Sequence, residues 1–124
     1  MGIDIFSQWK GQSAEESEVQ VSEMFCATAG GVGYLREAYH GTPYATQYLC
    51  AEAFNREGEA RIAAKVLRER LPMALVFVEE RQRKIYESDE ETIEAVKQSY
   101  TDFVALCERK EAETGEPVLI IASY

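Results

Sequence analysis

The sequence predicts an α+β fold, in which a small sheet is covered by about three helices from the second half of the chain. Alternating side chains over 3–9 predict a strand at the N-terminal end, and the apolar run 118–122 predicts a strand at the C-terminal end. Between these strands, apolar residues of the second half recur at the three- and four-residue spacing of amphipathic helices. The chain has 124 residues, of which 46% are hydrophobic. We therefore expect a single domain, 1–124, around one core.

The N-terminal part is predicted to hold a strand, a short helix and a possible second strand. In the first strand, Ile3 and Ile5 alternate with polar or aromatic neighbours until the run stops at 10–12. Ser13 and Glu16 then have the spacing of a capping box, which predicts a helix over 14–20. The run 24–28 is a possible strand.

The one concentration of glycines lies at 29–33. A phosphate-binding loop needs Lys and Ser or Thr after its last glycine, and Tyr34 and Leu35 stand there instead. A dinucleotide-binding turn would place a third glycine where this chain has Arg36. We therefore expect a turn that needs positive φ or a close backbone approach, with a backbone nest for a small anion as the alternative.

The segment 34–40 suits either a helix or a strand. Leu35, Ala38 and Tyr39 have helical spacing, and Gly41 is placed to end a helix, so one or two helical turns are the favoured interpretation. Tyr and Leu are also at home in strands, and the strand alternative stays open. Residues 44–54 are apolar but only weakly periodic.

Three helices and a strand are predicted for the second half. An apolar stripe from Ile62 to Leu71 predicts a helix over 59–71. Pro72 is expected to end it and to open a second helix that continues to Tyr86, with a strand over 75–78 as the rival interpretation.

A third predicted helix covers 89–113, with Phe103 in the middle of its apolar stripe. A capping box at 88–91 precedes it, and Gly115 follows it. The strand 118–122 is continuously apolar, so we expect it to be buried on both faces.

The charge balance argues against nucleic acid as a partner. The chain has 13 Lys and Arg against 22 Asp and Glu, a net charge of −9, and neither half is basic. Nucleic-acid binders need a basic face that displaces phosphate counterions. The longest cationic run, 81–84, adjoins Glu79 and Glu80, and we expect it to be a solvated helix face. The longest apolar runs are too short for a membrane span, so no membrane partner is expected.

The three cysteines, Cys26, Cys50 and Cys107, form no CxxC pair. An odd number of cysteines favours free thiols in a reducing compartment, and we expect a cytoplasmic protein. With a single histidine and no ligand spacing, we expect no metal. We also expect no cofactor.

The candidate ligand site is the segment 30–48. It combines glycine backbone N–H groups, four tyrosines, the only histidine and an isolated arginine, a set of donors that suits a small anionic ligand. His40 is placed to act as a general base oriented by a tyrosine or by Glu37. Core packing and an oligomer interface are the other uses of so many tyrosines. The candidate ligand-binding residues are Gly31, Gly33, Tyr34, Arg36, Tyr39 and His40.

The opening run 1–5 and the run 33–41 resemble segments of small bacterial cytosolic proteins that have no known activity. The resemblance implies no fold, cofactor or residue role. Two functional hypotheses follow from the residues themselves. The first is a non-catalytic binding or interaction domain that self-associates to a homo-oligomer. The second is an anion-binding protein, or a small enzyme, that uses 30–48; no catalytic residue is assigned.

Overall fold

Four antiparallel strands form one sheet in the computed structural model, which describes residues 2–124. The strands are β1 (Gly2–Gln8), β2 (Tyr34–Ala38), β3 (Glu59–Ile62) and β4 (Val118–Ser123), in the order β2-β1-β4-β3. The two terminal strands are therefore neighbours at the centre of the sheet. The predicted α+β class, with both terminal strands in the sheet, is confirmed.

Four α-helices accompany the sheet: α1 (Ala14–Ser22), α2 (Ala45–Leu49), α3 (Ala64–Lys84) and α4 (Glu90–Thr114). Single 3-10 turns lie at Gly30–Val32 and Ala51–Ala53. The long helices α3 and α4 pack against each other and share one hydrophobic core with the sheet. Ile5, Leu35 and Ile120 enter this core from the strands, and Leu67 and Phe103 enter it from the helices.

The prediction of two helices separated at Pro72 is wrong, because α3 runs unbroken through that residue. The first residues of the predicted helix instead form β3. An internal proline costs a helix about 3 kcal/mol. Burial of each Leu or Val side chain stabilises the fold by about 1.5–3 kcal/mol. Such residues lie on both sides of the proline. The buried stripe of α3 consists of Ala64, Leu67, Leu71, Ala74, Val78 and Arg81.

The segment after the glycines is a strand and not the favoured helix, so the alternative kept open for it is the correct one. Leu35 lies opposite Ile5 of β1, and both side chains are buried. Pairing with an existing strand decided a segment whose local preference was ambiguous. The possible strand at 24–28 is a turn region instead.

The predicted cap of α1 is confirmed, and the predicted capping box at 88–91 is wrong. Ser13 and Glu16 make the complete capping box of α1. For α4 the cap is Asp89, whose carboxylate accepts the backbone N–H of Thr92 at 2.8 Å. The predicted cap, Ser88, turns instead toward the side chain of Gln82.

The last strand alternates in burial, contrary to the prediction that both of its faces are buried. Val118, Ile120 and Ala122 are buried beneath the helices. Leu119 and Ile121, on the other face, are only partly covered. The long helices thus cover one side of the sheet and leave the other partly open to solvent.

The glycine turn is held by close packing at two of its three positions. A Cβ on Gly30 would overlap the carbonyl oxygen of Ser99 on α4. Gly33 has φ +90° and lies against the hydroxyl of Ser7. The expectation of a turn that needs positive φ or close approach is confirmed for these two residues. Gly31 differs, because a Cβ there would meet nothing within 4 Å.

The cysteines are thiols, with Cys50 and Cys107 buried and Cys26 partly exposed. Burial raises the pKa of Cys107 to about 12, so its thiol stays protonated near neutral pH. None of the helices within residues 2–124 combines the length and the apolar character that crossing a membrane requires.

The two neighbouring glycines predict opposite mutational outcomes. Gly30→Ala should destabilise the fold by about 1–3 kcal/mol or more, because the new methyl group has to displace the α4 backbone. Gly31→Ala should change the free energy of unfolding by less than about 0.5 kcal/mol. Urea denaturation of both variants tests this, and equal costs would contradict the packing described for Gly30.

Candidate functional site

A buried carboxylate, Glu37, connects β2 to the following helix. Its side chain lies on the same sheet face as that of Leu35 and is almost fully covered. The backbone N–H groups of Ala45 and Thr46 each donate to it at 2.9 Å, and the Thr46 hydroxyl also donates. These are the first N–H groups of α2, which receives no side-chain cap from Tyr44. Glu37 therefore satisfies the start of α2 from a neighbouring strand.

Arg81 supplies the opposite charge from α3. Its Nη2 atom forms an ion pair with Glu37 and donates to the carbonyl of Pro43 at 3.2 Å. The side chain is only 6% exposed, and its Nε atom is buried with no hydrogen-bond partner among residues 2–124. The Nη2 atom of the guanidinium is thus hydrogen-bonded, whereas its Nε atom is not. The prediction that 81–84 is a solvated face is wrong at Arg81.

The spacing of apolar residues in α3 predicts the burial of Arg81, although the charged residues beside it are typical of a solvated face. Arg81 follows Val78 by three residues and continues the stripe of α3 that includes Leu71 and Ala74. A long cation on an apolar stripe needs a buried carboxylate partner. Glu37 becomes the candidate once 34–38 is taken as a strand, since it then shares the inner face with Leu35.

His40 lies beside the same carboxylate. Its Nε2 atom is 3.3 Å from Oε2 of Glu37, and its ring centroid is 4.5 Å from that of Tyr44. The Tyr44 hydroxyl accepts the backbone N–H of Gly41 at 3.1 Å, which fixes the intervening turn. Glu37 is therefore placed to orient the imidazole, as the general-base hypothesis requires.

A second ion pair lies on the opposite, open face of the sheet. Nη1 of Arg36 donates to both oxygens of Asp4 at 3.0 Å. The Tyr34 hydroxyl donates to Asp4 and accepts the backbone N–H of Phe25 at 3.0 Å. Burial and the hydrogen bond to Asp4 raise the pKa of Tyr34 to about 12, so it remains a neutral donor. The ring of Phe25 lies 4.9 Å from the Arg36 guanidinium.

Two small concavities meet at Arg81. The one at the outer edge of β2, which we call the edge cleft, has a volume of about 200 Å³. The one beside the 39–44 turn, the loop cleft, has about 150 Å³. The edge cleft is lined by Phe25, Ala27, Arg36, Glu37, Ala38, Arg81, Gln82, Tyr86, Val96 and Tyr100. The loop cleft is lined by His40, Gly41, Thr42, Pro43, Phe77, Glu80, Arg81, Lys84 and Ile85.

Tyr100 of α4 completes the buried part of the edge cleft. Burial raises the pKa of its hydroxyl well above the ordinary value, and the charge of Glu37 adds to the effect. Arg81 opposes the shift but does not cancel it. The phenol is therefore neutral and able to donate a hydrogen bond across the physiological pH range.

The candidate residues do not form one site. Arg36 lines the edge cleft and His40 lines the loop cleft. Tyr34 is fully buried, Tyr39 is 47% exposed, and both are absent from the two clefts. The carbonyl oxygen of Gly33 accepts hydrogen bonds from the hydroxyl and the backbone N–H of Ser7. Gly31 lines a separate groove. Residues of α3 and α4, Arg81 and Tyr100 among them, form one wall of the edge cleft.

The Glu37–Arg81 pair predicts a large effect from a small change. Glu37→Gln keeps an acceptor for α2 but leaves Arg81 without its counter-charge, and the expected cost is about 3–5 kcal/mol. Glu108→Gln is the matched control. It breaks the exposed Arg68–Glu108 pair, which should cost less than about 1 kcal/mol. Denaturant titration of both variants measures the difference, and equal losses would show that burial of the Glu37 pair does not matter.

Within residues 2–124, no group of three or more His, Cys, Asp and Glu side chains is placed to hold a metal ion. Comparisons with protein-family models, with curated proteins and with solved structures each found no match.

Proposed function

We propose that the protein binds a small carboxylate in the edge cleft, with Arg36 and Arg81 as its anchors. The observation that carries the proposal is the guanidinium of Arg81, which is buried in the cleft wall with its Nε atom unpartnered among residues 2–124. A buried donor without an acceptor costs about 1–3 kcal/mol. An oxyanion in the cleft would supply an acceptor for a guanidinium that the protein satisfies only in part.

Arg36 reinforces this argument because it is also only partly used. Its hydrogen bonds to Asp4 are made by Nη1, which leaves Nε and Nη2. The N–H groups of that pair are parallel, and this geometry matches the two oxygens of a carboxylate.

Charge favours a monoanion. The two guanidinium groups are offset by Asp4 and Glu37, so the four groups together are neutral. A dianion such as phosphate would bring two negative charges to this neutral set, on a chain whose net charge is already −9. A single carboxylate can accept the same hydrogen bonds but brings one negative charge, so its electrostatic repulsion is about half as large.

Size and lining restrict the ligand further. Pockets for drug-sized molecules have about 300–1,000 Å³, whereas the edge cleft has about 200 Å³. A cavity of about 150 Å³ accommodates benzene. Phe25 and Val96 provide apolar contact, and Tyr86 and Tyr100 provide rings with hydroxyl groups. The ligand is therefore a short aliphatic or single-ring carboxylate, and nucleotides are too large.

Thermal unfolding in the presence of isobutyrate and benzoate tests the proposal, with isobutyramide and benzamide as neutral controls. The carboxylates should raise the melting temperature and the amides should not. At a concentration one hundred times its Kd, a ligand adds about 2.7 kcal/mol of stability. Equal shifts from acid and amide, or no shift from any small carboxylate, would refute the proposal.

Variants assign the effect to the cleft. Ala38→Leu fills the cleft from an exposed strand position and should abolish the carboxylate shift, whereas Ala112→Leu, on the exposed face of α4, should preserve it. Arg36→Gln should reduce the shift strongly. Arg56→Gln, which removes an exposed arginine that lines neither cleft, should not. A shift that survives Ala38→Leu in a folded variant would place binding elsewhere.

Self-association is a second candidate function, and exposed apolar side chains on α2 and α3 favour it. Tyr48, Met73 and Val76 are 40%, 45% and 46% exposed. We expect light scattering to give twice the 14.0 kDa chain mass and Val76→Glu to restore the monomer, because a charge in an apolar contact is costly. A wild-type mass equal to one chain at high protein concentration would refute this candidate.

A further inference from the structure

Gly31 is a glycine that neither its conformation nor its packing requires. Its φ is not positive, it is exposed, and a Cβ there would meet nothing within 4 Å. It lines a groove of about 300 Å³ between α1, the glycine turn and α4, which we call the Trp9 groove. A longer side chain at position 31 would stand beside this groove.

The Trp9 groove is apolar with a charged rim. Trp9, Val19 and Leu106 supply apolar surface, and the rim carries Arg109 and Lys110. Nζ of Lys110 lies 5.1 Å from the centre of the Trp9 ring, where its charge interacts with the ring face.

Two cations, Arg109 and Lys110, and one carboxylate, Glu16, line the groove, and Arg109 is the cation without an ion-pair partner among residues 2–124. Lys110 is paired with Glu113 at 3.1 Å. The carboxylate of Glu16 accepts the backbone N–H of Ser13, and this hydrogen bond lowers its pKa. Arg109 is exposed and has no carboxylate within 4 Å among residues 2–124. The groove thus offers an apolar surface next to a free guanidinium.

We propose that the Trp9 groove is a second binding site, which takes a small aryl carboxylate. The ring lies against Trp9 and Leu106, where aromatic contact is favourable, and the carboxylate accepts from Arg109 at the rim. Protein charge selects a small molecule over an acidic protein partner. A chain of net charge −9 repels a polyanionic surface strongly and a monoanion only weakly.

This site is independent of the edge cleft. The two share no lining residue, and the groove contains the only tryptophan of the chain. Trp9 fluorescence therefore reports on the groove by itself, and binding in one site can fail while binding in the other succeeds.

The test is a titration with 4-phenylbutyrate followed by Trp9 fluorescence, excited at the red edge where phenyl groups do not absorb. 4-Phenyl-1-butanol is the neutral control. We expect a saturable change in fluorescence with the acid and a Kd about fivefold to tenfold weaker for the alcohol, the loss of one charge-assisted contact. No saturable change with the acid, or equal affinity for the alcohol, would overturn the proposal.

Three variants locate the interaction. Gly31→Leu fills the groove and should abolish the response, and its circular dichroism melt shows whether it is folded. Arg109→Gln is an exposed change that cannot disturb the core. It should weaken binding of the acid about fivefold to tenfold and leave binding of the alcohol unchanged. Arg56→Gln removes the same charge at another exposed position and should have no effect. A loss that is equal for Arg56→Gln and Arg109→Gln would reduce the effect to net charge and refute the groove as the site.

Discussion

The buried ion pair between Glu37 and Arg81 is the constraint on which the arrangement around β2 depends. A carboxylate inside a small domain is costly unless its oxygens are bonded and its charge is compensated. Here the start of α2 supplies backbone and hydroxyl donors, His40 approaches from the turn, and α3 supplies the counter-charge. One side chain thereby fixes three elements in relation to one another.

The same pair contributes to both concavities at this edge of the sheet. Arg81 reaches β2 from α3 and lines both the edge cleft and the loop cleft, so each cleft has a charged wall. Asp4 and Arg36 repeat the arrangement on the open face. Two guanidinium groups are thus held rigidly by internal carboxylates and retain N–H groups that the protein does not use. Donors fixed in this way would bind the carboxylate that we propose at a low cost in conformational entropy.

The glycines of the 30–33 turn differ in why a glycine stands at each position. Gly30 and Gly33 are required by the fold, since a side chain would overlap Ser99 or Ser7. Gly31 has no such requirement and stands at a groove instead. A sequence pattern alone assigned all three to a single motif, and only the neighbours of each Cα separate the architectural glycines from the one that lines the groove.

What the sequence by itself determined is the part of the structure that local interactions control. The strand over 3–9, the Ser13 capping box and the long helix with Phe103 at its centre follow from alternation, capping and apolar spacing within a few residues. The tertiary structure decided what depends on distant partners. Residues 34–38 became a strand because β1 offered backbone and apolar partners. Helix α3 continues through Pro72 because burial of apolar side chains on both sides of the proline offsets the cost of the proline. Arg81 is buried because Glu37, distant in sequence, neutralises it, and a hydropathy pattern cannot represent that compensation.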